Sequence, residues 1–244
     1  MYGNFALGYH TVMKDTFQKD FFKFYLEIFK KHNINPELIL DLGCGTGDIT
    51  RLFAEKGYDL IGIDISPEML NIAREENGHK NILYLNQDMR EFELYGTVDV
   101  IYSSLDCLNY ITDKRDLKKV FSLCHNYLNP DGLFIFDINT EFKYENTLDN
   151  NTFVYDNEDA YLVWQSEYLK RSKICTFFLD MFYKNNGTYE RFYEEQEQRA
   201  YSYDDFKKIA LETGFEILGI YDNLSFKKPK KTSEKVFWVL RSIK

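Results

Sequence analysis

The stretch LILDLGCGTGDIT, residues 38–50, is an apolar run that ends in Asp41 and breaks into glycines at 43, 45 and 47. Residues 38 to 42 read as a short buried strand, and a helix is expected over about 48 to 56. The turn between them is glycine-rich, which permits tight backbone angles and lets a ligand approach the main chain. In an open parallel sheet, ligands sit beyond the carboxyl ends of the strands, where this turn falls. A G-x-G turn alone is weak evidence, because many turns before helices look like it.

Outward from the turn the same alternation continues. Gly57 ends the helix and Tyr58 to Asp64 reads as a second buried strand. Ser66 caps the next helix, with Pro67 in its first turn and residues 69 to 76 following. Asn81 to Leu85, Val98 to Ser103 and Leu133 to Asp137 read as strands three to five. A helix over 114 to 128 and a turn at Asn129-Pro130-Asp131-Gly132 lie between the last two. This spacing predicts an α/β fold with a doubly wound, mostly parallel sheet. Two further strands, Phe215 to Tyr221 and Lys235 to Arg241, follow a helix over 203 to 213 capped by Ser202 and bring the sheet to seven.

Two segments stand apart. Residues 11 to 33 show helical spacing of Phe17, Phe21, Phe24, Tyr25 and Ile28, so residues 1–33 are expected to form an N-terminal helical lid. The runs YLVWQSEYL, KICTFFLDMFY and TYERFYEEQEQRAY predict an antiparallel β insertion after strand five, a cap over 153–201. Asn185-Asn186-Gly187 is a hairpin signal between the last two. The remaining parts, 1–152 and 202–244, form the ligand-binding domain.

Composition bounds the function. The chain has 244 residues, 44% of them apolar and 17% aromatic, and a formal net charge of -9. That charge argues against a nucleic-acid partner, which needs a concentrated positive surface. The one basic cluster, Lys227-Lys228-Pro229-Lys230-Lys231, reads as a solvated loop tip or as a contact for a phosphate-bearing partner. No apolar run reaches membrane-span length, and no signal peptide is evident. The four cysteines, 44, 107, 124 and 175, are widely spaced; no metal site is expected, and a reducing cytoplasm suits them.

The ligand narrows by spacing. Asp64 closes strand two, where a carboxylate accepts hydrogen bonds from ribose hydroxyls. A dinucleotide turn wants G-x-G-x-x-G, but Asp48 and Thr50 stand where its third glycine belongs. No G-K-[ST] ending makes a phosphate loop. Carboxylates at Asp41 and Asp48 would repel a pyrophosphate and favour a ligand with a positive amino group.

Further motifs follow. Asp41-Leu42-Gly43-Cys44-Gly45-Thr46-Gly47 has the form acidic-x-G-x-G-x-G, Asp64 is the acidic strand end, and Ser66-Pro67-Glu68-Met69 opens a capped helix. Asn86-Gln87-Asp88-Met89, SSLDCLN from Ser103 to Asn109, and Leu128-Asn129-Pro130-Asp131-Gly132 complete the set. With these the chain resembles a class I S-adenosylmethionine (SAM)-dependent methyltransferase over about 37 to 140. Asp131 replaces a glycine of the family's L-x-P-G-G turn. The resemblance implies SAM as cofactor, held by Asp41, Gly43, Cys44, Gly45, Gly47, Asp64, Ile65, Met69, Gln87, Asp88, Met89, Ser103 and Leu105. Asp88 would meet the adenine edge.

Methyl transfer from SAM needs orientation and water exclusion more than a strong catalytic motif. The candidate catalytic residues are Tyr9 and His10 from the N-terminal arm and Asp106 and Asn109 from the loop after strand four. Tyr110, Glu195 and Arg199 are candidates for the acceptor pocket; 195 and 199 share parity on one strand. The place after strand four holds Ser104-Leu105-Asp106-Cys107, not the [N/D/S]-P-P-[Y/F] motif of amino-methylating nucleic-acid enzymes. Cys107 also lacks the proline context of cytosine C5 methylation. The arrangement is similar to sugar-amine N-methyltransferases and glycine or sarcosine methyltransferases, implying a small-molecule acceptor such as an amine, in a monomer or a homodimer built through the insertion. A non-catalytic SAM-binding or interaction protein and a tRNA or other nucleic-acid methyltransferase stand as alternatives.

Overall fold

The computed structural model describes residues 3–13, 17–185 and 187–244. A seven-stranded sheet runs β3(Ile82–Asn86), β2(Asp59–Asp64), β1(Leu38–Leu42), β4(Val98–Ser103), β5(Leu128–Asn139), β11(Lys235–Ser242), β10(Phe215–Asp222). The first five strands are mutually parallel, while β11 is antiparallel to both β5 and β10. The chain reverses its direction of travel across the sheet between β1 and β4, so the glycine turn after β1 lies at the switch point.

Side chains alternate between the two faces of each strand. Ile39, Val100, Tyr102 and Phe237 pack against α2(Gln18–Lys31) and α3(Asp48–Glu55) through Phe21, Tyr25, Ile28 and Phe53. Leu40, Leu42, Ile101, Phe134 and Trp238 pack on the other face with α5(Lys114–Tyr127) and α7(Tyr203–Glu212). Ser66 caps α4(Pro67–Glu76) as expected, and Ser202 with Asp205 forms a capping box on α7.

A second sheet is antiparallel, in the order β6(Asn151–Asp156), β7(Ala160–Leu169), β8(Ile174–Asn185), β9(Thr188–Arg199). It has four strands where the sequence shows three runs. The added strand β6 is short, and only Phe153 and Tyr155 are half-buried, so it carries little apolar signal. Asn186 of the expected hairpin signal lies outside the described residues. The helix expected over 11 to 33 is two helices: α1(Gly3–Met13) and α2, with Lys14, Asp15 and Thr16 outside the described residues. A short helix α6(Glu141–Lys143) and a wide turn at Tyr144–Leu148 lead from β5 into the second sheet. The inner face of that sheet buries Leu162, Phe177, Leu179 and Met181 against Phe5 of α1 and Tyr144. Among the described residues no helix is long and apolar enough to cross a membrane.

Candidate active site

The turn after β1 is held from below and from the side. Gly43 N and Cys44 N donate to Ile63 O at 2.8 and 2.9 Å, and Gly45 N donates to Asp64 Oδ2 at 2.8 Å. Asp64 Oδ1 also accepts from Ser66 N at 2.9 Å, so one carboxylate ties the turn to the start of α4. Burial raises its pKa against these hydrogen bonds. Asn86, quoted in its motif without a role of its own, donates to Asp64 O and Ile65 O and fixes the end of β2.

Gly43 has φ +83, and a side chain there would begin 2.7 Å from Cys107 Sγ, so only glycine lets the strand-four loop close on the turn. Gly45 has φ +54 with nothing within 4 Å of a side chain's first atom. Bare main chain beside a carboxylate with spare lone pairs fits a nucleoside lying on the turn. The residues present therefore fit SAM.

Asp41 lies beneath the turn. It is 2% exposed and accepts hydrogen bonds from Thr50 Oγ1 and from Tyr102 OH at 2.8 Å. Burial pushes its carboxyl up to about 7. Asp41 pairs in register with Tyr102 of β4, and both hydrogen bonds fall on its Oδ2, so that oxygen braces the turn from inside the fold. Ser103 is likewise buried and donates to Leu42 O, joining β4 to β1. Cys44 packs beside Tyr84 and Met89 Cε lies close to Gly43.

Ile65 is 63% exposed at the end of β2, and Met69 is in the first turn of α4. Gln87 is pinned by both ends of its amide to the backbone of Glu93. Asp88 makes a forked ion pair with Arg90, which, more than any other neighbour, holds its carboxyl below the usual value.

The strand-four loop carries the densest polar network. Leu105 and Asp106 both have positive φ, and their amides donate to Asp137 Oδ1 and Oδ2 at 2.7 and 3.0 Å. The Lys235 ammonium bridges Asp137 and Asp106 Oδ1, the latter at 2.9 Å. Gln198 Nε2 donates to Asp106 Oδ2 at 2.6 Å. Burial would raise Asp106, but Lys235 and Lys143 outweigh it and hold it low. Burial raises Asp137, with Asp106 adding to it and Lys235 opposing. Both oxygens of Asp106 are thus engaged by protein. Asn109 is buried, accepting from Asn139 N and donating to Arg199 O, so it braces the loop against the second sheet.

The stripe of β9 that meets the site is not the expected one. Pairing with β8 puts Gln198 opposite Cys175, Gln196 opposite Phe177 and Glu194 opposite Leu179, all on the inner face. Glu195 faces outward, opposite Phe178, and accepts from Tyr193 OH. Arg199 binds the backbone carbonyls of Thr112 and Ser172 and so ties the end of β9 down. The inner stripe spans the site. Gln198 holds Asp106, Gln196 accepts from Tyr110 OH at 3.2 Å, and Glu194 is held by Gln196 at 2.9 Å. Burial raises the Glu194 carboxyl, and the charge of Glu68 on α4 adds to that.

Helix α1 brings Tyr9 and His10 to different places. The Tyr9 hydroxyl is raised by burial first, then by the charges of Asp106 and Cys107, so it stays protonated beside the strand-four loop. His10 is buried, with Nε2 2.9 Å from Glu76 Oε2 and Nδ1 3.6 Å from Asp48 Oδ2. It latches α1 to the start of α3 and the end of α4. Its pKa is raised, chiefly by Asp48, against burial. The sign follows: the latch contributes fully below about pH 6.5 and is lost as pH rises through the raised value. We expect alkaline titration to speed amide exchange in α1 beyond its intrinsic pH dependence in the native protein. In His10→Gln the exchange should already be fast and follow pH only intrinsically; equal profiles for both proteins would refute the latch.

A family model described as a methyltransferase domain matches residues 39–132. A Bacillus subtilis (strain 168) protein, YqeM, provisionally named a methyltransferase, is 33% identical over 202 residues, 82% of each chain. The crystal structure of an S-adenosylmethionine-dependent methyltransferase from Clostridium acetobutylicum ATCC 824 superposes with a TM-score of 0.88 at 32% identity, covering 100% of this chain and 99% of that one. A sugar N-methyltransferase, KedS8, from Streptoalloteichus sp ATCC 53650 shares the fold at 16% identity, with a TM-score of 0.78 and coverage of 100% and 93%. With the bare glycine turn, Asp64 beside it and these similarities over nearly the whole chain, the protein belongs to the S-adenosylmethionine-dependent methyltransferases.

Proposed function

We propose that the chain methylates a small-molecule amine held between the strand-four loop, α1 and the inner face of β9. The observation that carries this reading is the stripe Glu194, Gln196, Gln198. It lays polar and acidic side chains across the mouth of the cofactor turn, with Tyr110 and Tyr9 at its sides. An amine is the acceptor such a lining favours: the carboxylates of Glu194 and Glu68 attract its ammonium form on approach, that form gives its proton to water, and the amides and hydroxyls orient the neutral amine whose lone pair attacks the methyl. The net charge of -9 disfavours a polyanionic acceptor.

SAM when bound supplies a methyl group already made electrophilic by its sulfonium. The protein's part is to orient the nucleophile and exclude water. Neither oxygen of Asp106 is free to take a proton, since Lys235 and Gln198 hold them. Asp106 is therefore assigned a positioning role, and the Tyr9 hydroxyl is the group from α1 that meets the acceptor as a hydrogen-bond partner. The second sheet, Asn151 to Arg199, serves as the cap and α1 as the lid. The test is methyl transfer from labelled SAM to fractionated small amines and, in parallel, to tRNA. Label should appear in a small amine; label in tRNA alone would overturn the reading.

A further inference from the structure

The carboxyl rim of the sheet continues past the strand-four loop. Because β11 is antiparallel, its first residue, Lys235, sits on this rim opposite Asn139, the last residue of β5. Asp222, the last residue of β10, is on the rim as well, paired with Val236. Here a cavity of about 400 Å³ is lined by Lys143, Lys230, Thr232 and Ser233 and also by the acidic Asp222 and Glu234. Lys235 forms the wall it shares with the Asp106 network.

The cavity is a built feature. Lys230 N donates to Ser233 Oγ at 2.9 Å and Ser233 N to Lys230 O at 3.2 Å, closing the loop into a turn. Thr140 Oγ1 donates to Ser233 O at 2.6 Å and anchors that turn to the end of β5. The Glu234 carboxylate already accepts from Thr147 Oγ1. Of the basic run 227–231, Lys230 alone lines the cavity.

Lys143 is the decisive residue. Its ammonium donates to an amide oxygen, Asn139 Oδ1, at 2.9 Å. Among the described residues no carboxylate is within ion-pair distance of it, whereas the neighbouring Lys235 has two. Burial lowers its pKa, against more distant carboxylates led by Asp106. A partly desolvated ammonium with no carboxylate in direct contact has donor capacity left that an anion can fill. Hydroxyls of Thr232 and Ser233 and a second ammonium on Lys230 line the same space, which is the donor set that binds phosphate or carboxylate oxygens. Asp222 and Glu234 line the cavity too and oppose an anion, against the three ammonium groups of Lys143, Lys230 and Lys235.

We propose that this cavity binds an anionic group, phosphate or carboxylate, carried by the methyl acceptor. Assigning the group to the acceptor rests on the proposed function; the binding of an anion does not. The acceptor then carries an amine at the cofactor end and an anion at the Lys143 end.

The test is calorimetric titration of the S-adenosylhomocysteine-loaded protein with inorganic phosphate and, separately, with succinate, at fixed ionic strength in chloride. Saturable binding of one or both is expected, and which one binds tells phosphate from carboxylate. Lys143→Gln and Lys230→Gln should each weaken it by about tenfold, the effect of losing one charge-assisted hydrogen bond, with affinity for S-adenosylhomocysteine unchanged. No saturable binding above chloride, or unaltered binding in both variants, overturns the site. Labelled methyl transfer to small amines is scored independently. A neutral or purely cationic labelled product overturns the link to the acceptor, while transfer to tRNA alone is a failure of the proposed function.

Discussion

Lys235→Met is expected to destabilise the protein by about 3–5 kcal/mol, the usual cost of stranding a buried charge by removing its partner. Asp137 is 0% exposed and Lys235 17%, so water cannot replace the lost ammonium. Two consequences follow from the same contact. Asp137 holds the amides of Leu105 and Asp106 in a positive-φ turn, and Asp106 in turn holds Gln198 of the second sheet. Urea denaturation of the variant reads the loss. Adding Asp137→Asn to Lys235→Met should recover part of it, because the stranded charge is then gone. A change within about 1 kcal/mol, below the range for a buried pair, would show that the bridge is solvated and dispensable.

Asp64→Ala is expected to raise the Kd for SAM by about tenfold to a hundredfold, the range that one to two charge-assisted hydrogen bonds supply. The carboxylate has two parts to play. It already fixes Gly45 N and Ser66 N, which sets the shape of the turn, and each oxygen keeps a lone pair that a ribose hydroxyl can use. Asp64→Asn keeps one acceptor oxygen and should fall between the two. Calorimetry with SAM and S-adenosylhomocysteine measures this, with circular dichroism checking that the variants fold. Wild-type affinity in Asp64→Ala would remove Asp64 from the ribose contact.

The parallel sheet was legible because its signals are local. An apolar run bounded by glycine reads as a buried strand wherever it stands, and Leu38–Leu42, Asp59–Asp64 and Val98–Ser103 fall where those runs predict. Caps at Ser66 and Ser202 are legible for the same reason, since the capped amide is three residues away. The break between α1 and α2 was not legible, because aromatic residues continue on both sides of it. Nor was the chemistry of β9. Its sequence TYERFYEEQEQR is polar on both faces, so apolar alternation does not choose the buried one. The choice falls to β8, whose Phe177, Leu179 and Met181 go inward and carry Gln196, Glu194 and Phe192 with them.

The sequence by itself determined the cofactor half of this protein: the glycine turn, the acidic end of the second strand and the order of elements are short-range patterns that backbone geometry enforces. The tertiary structure alone decided the rest. It turned Asp41 inward, committed His10 to a latch, occupied both oxygens of Asp106 and set Lys143 beside Lys230 in one cavity. Those outcomes depend on which distant side chain meets a given charge in a site from which water is largely excluded. Strand register and crossover set that meeting, and neither is written in the residues next to the charge.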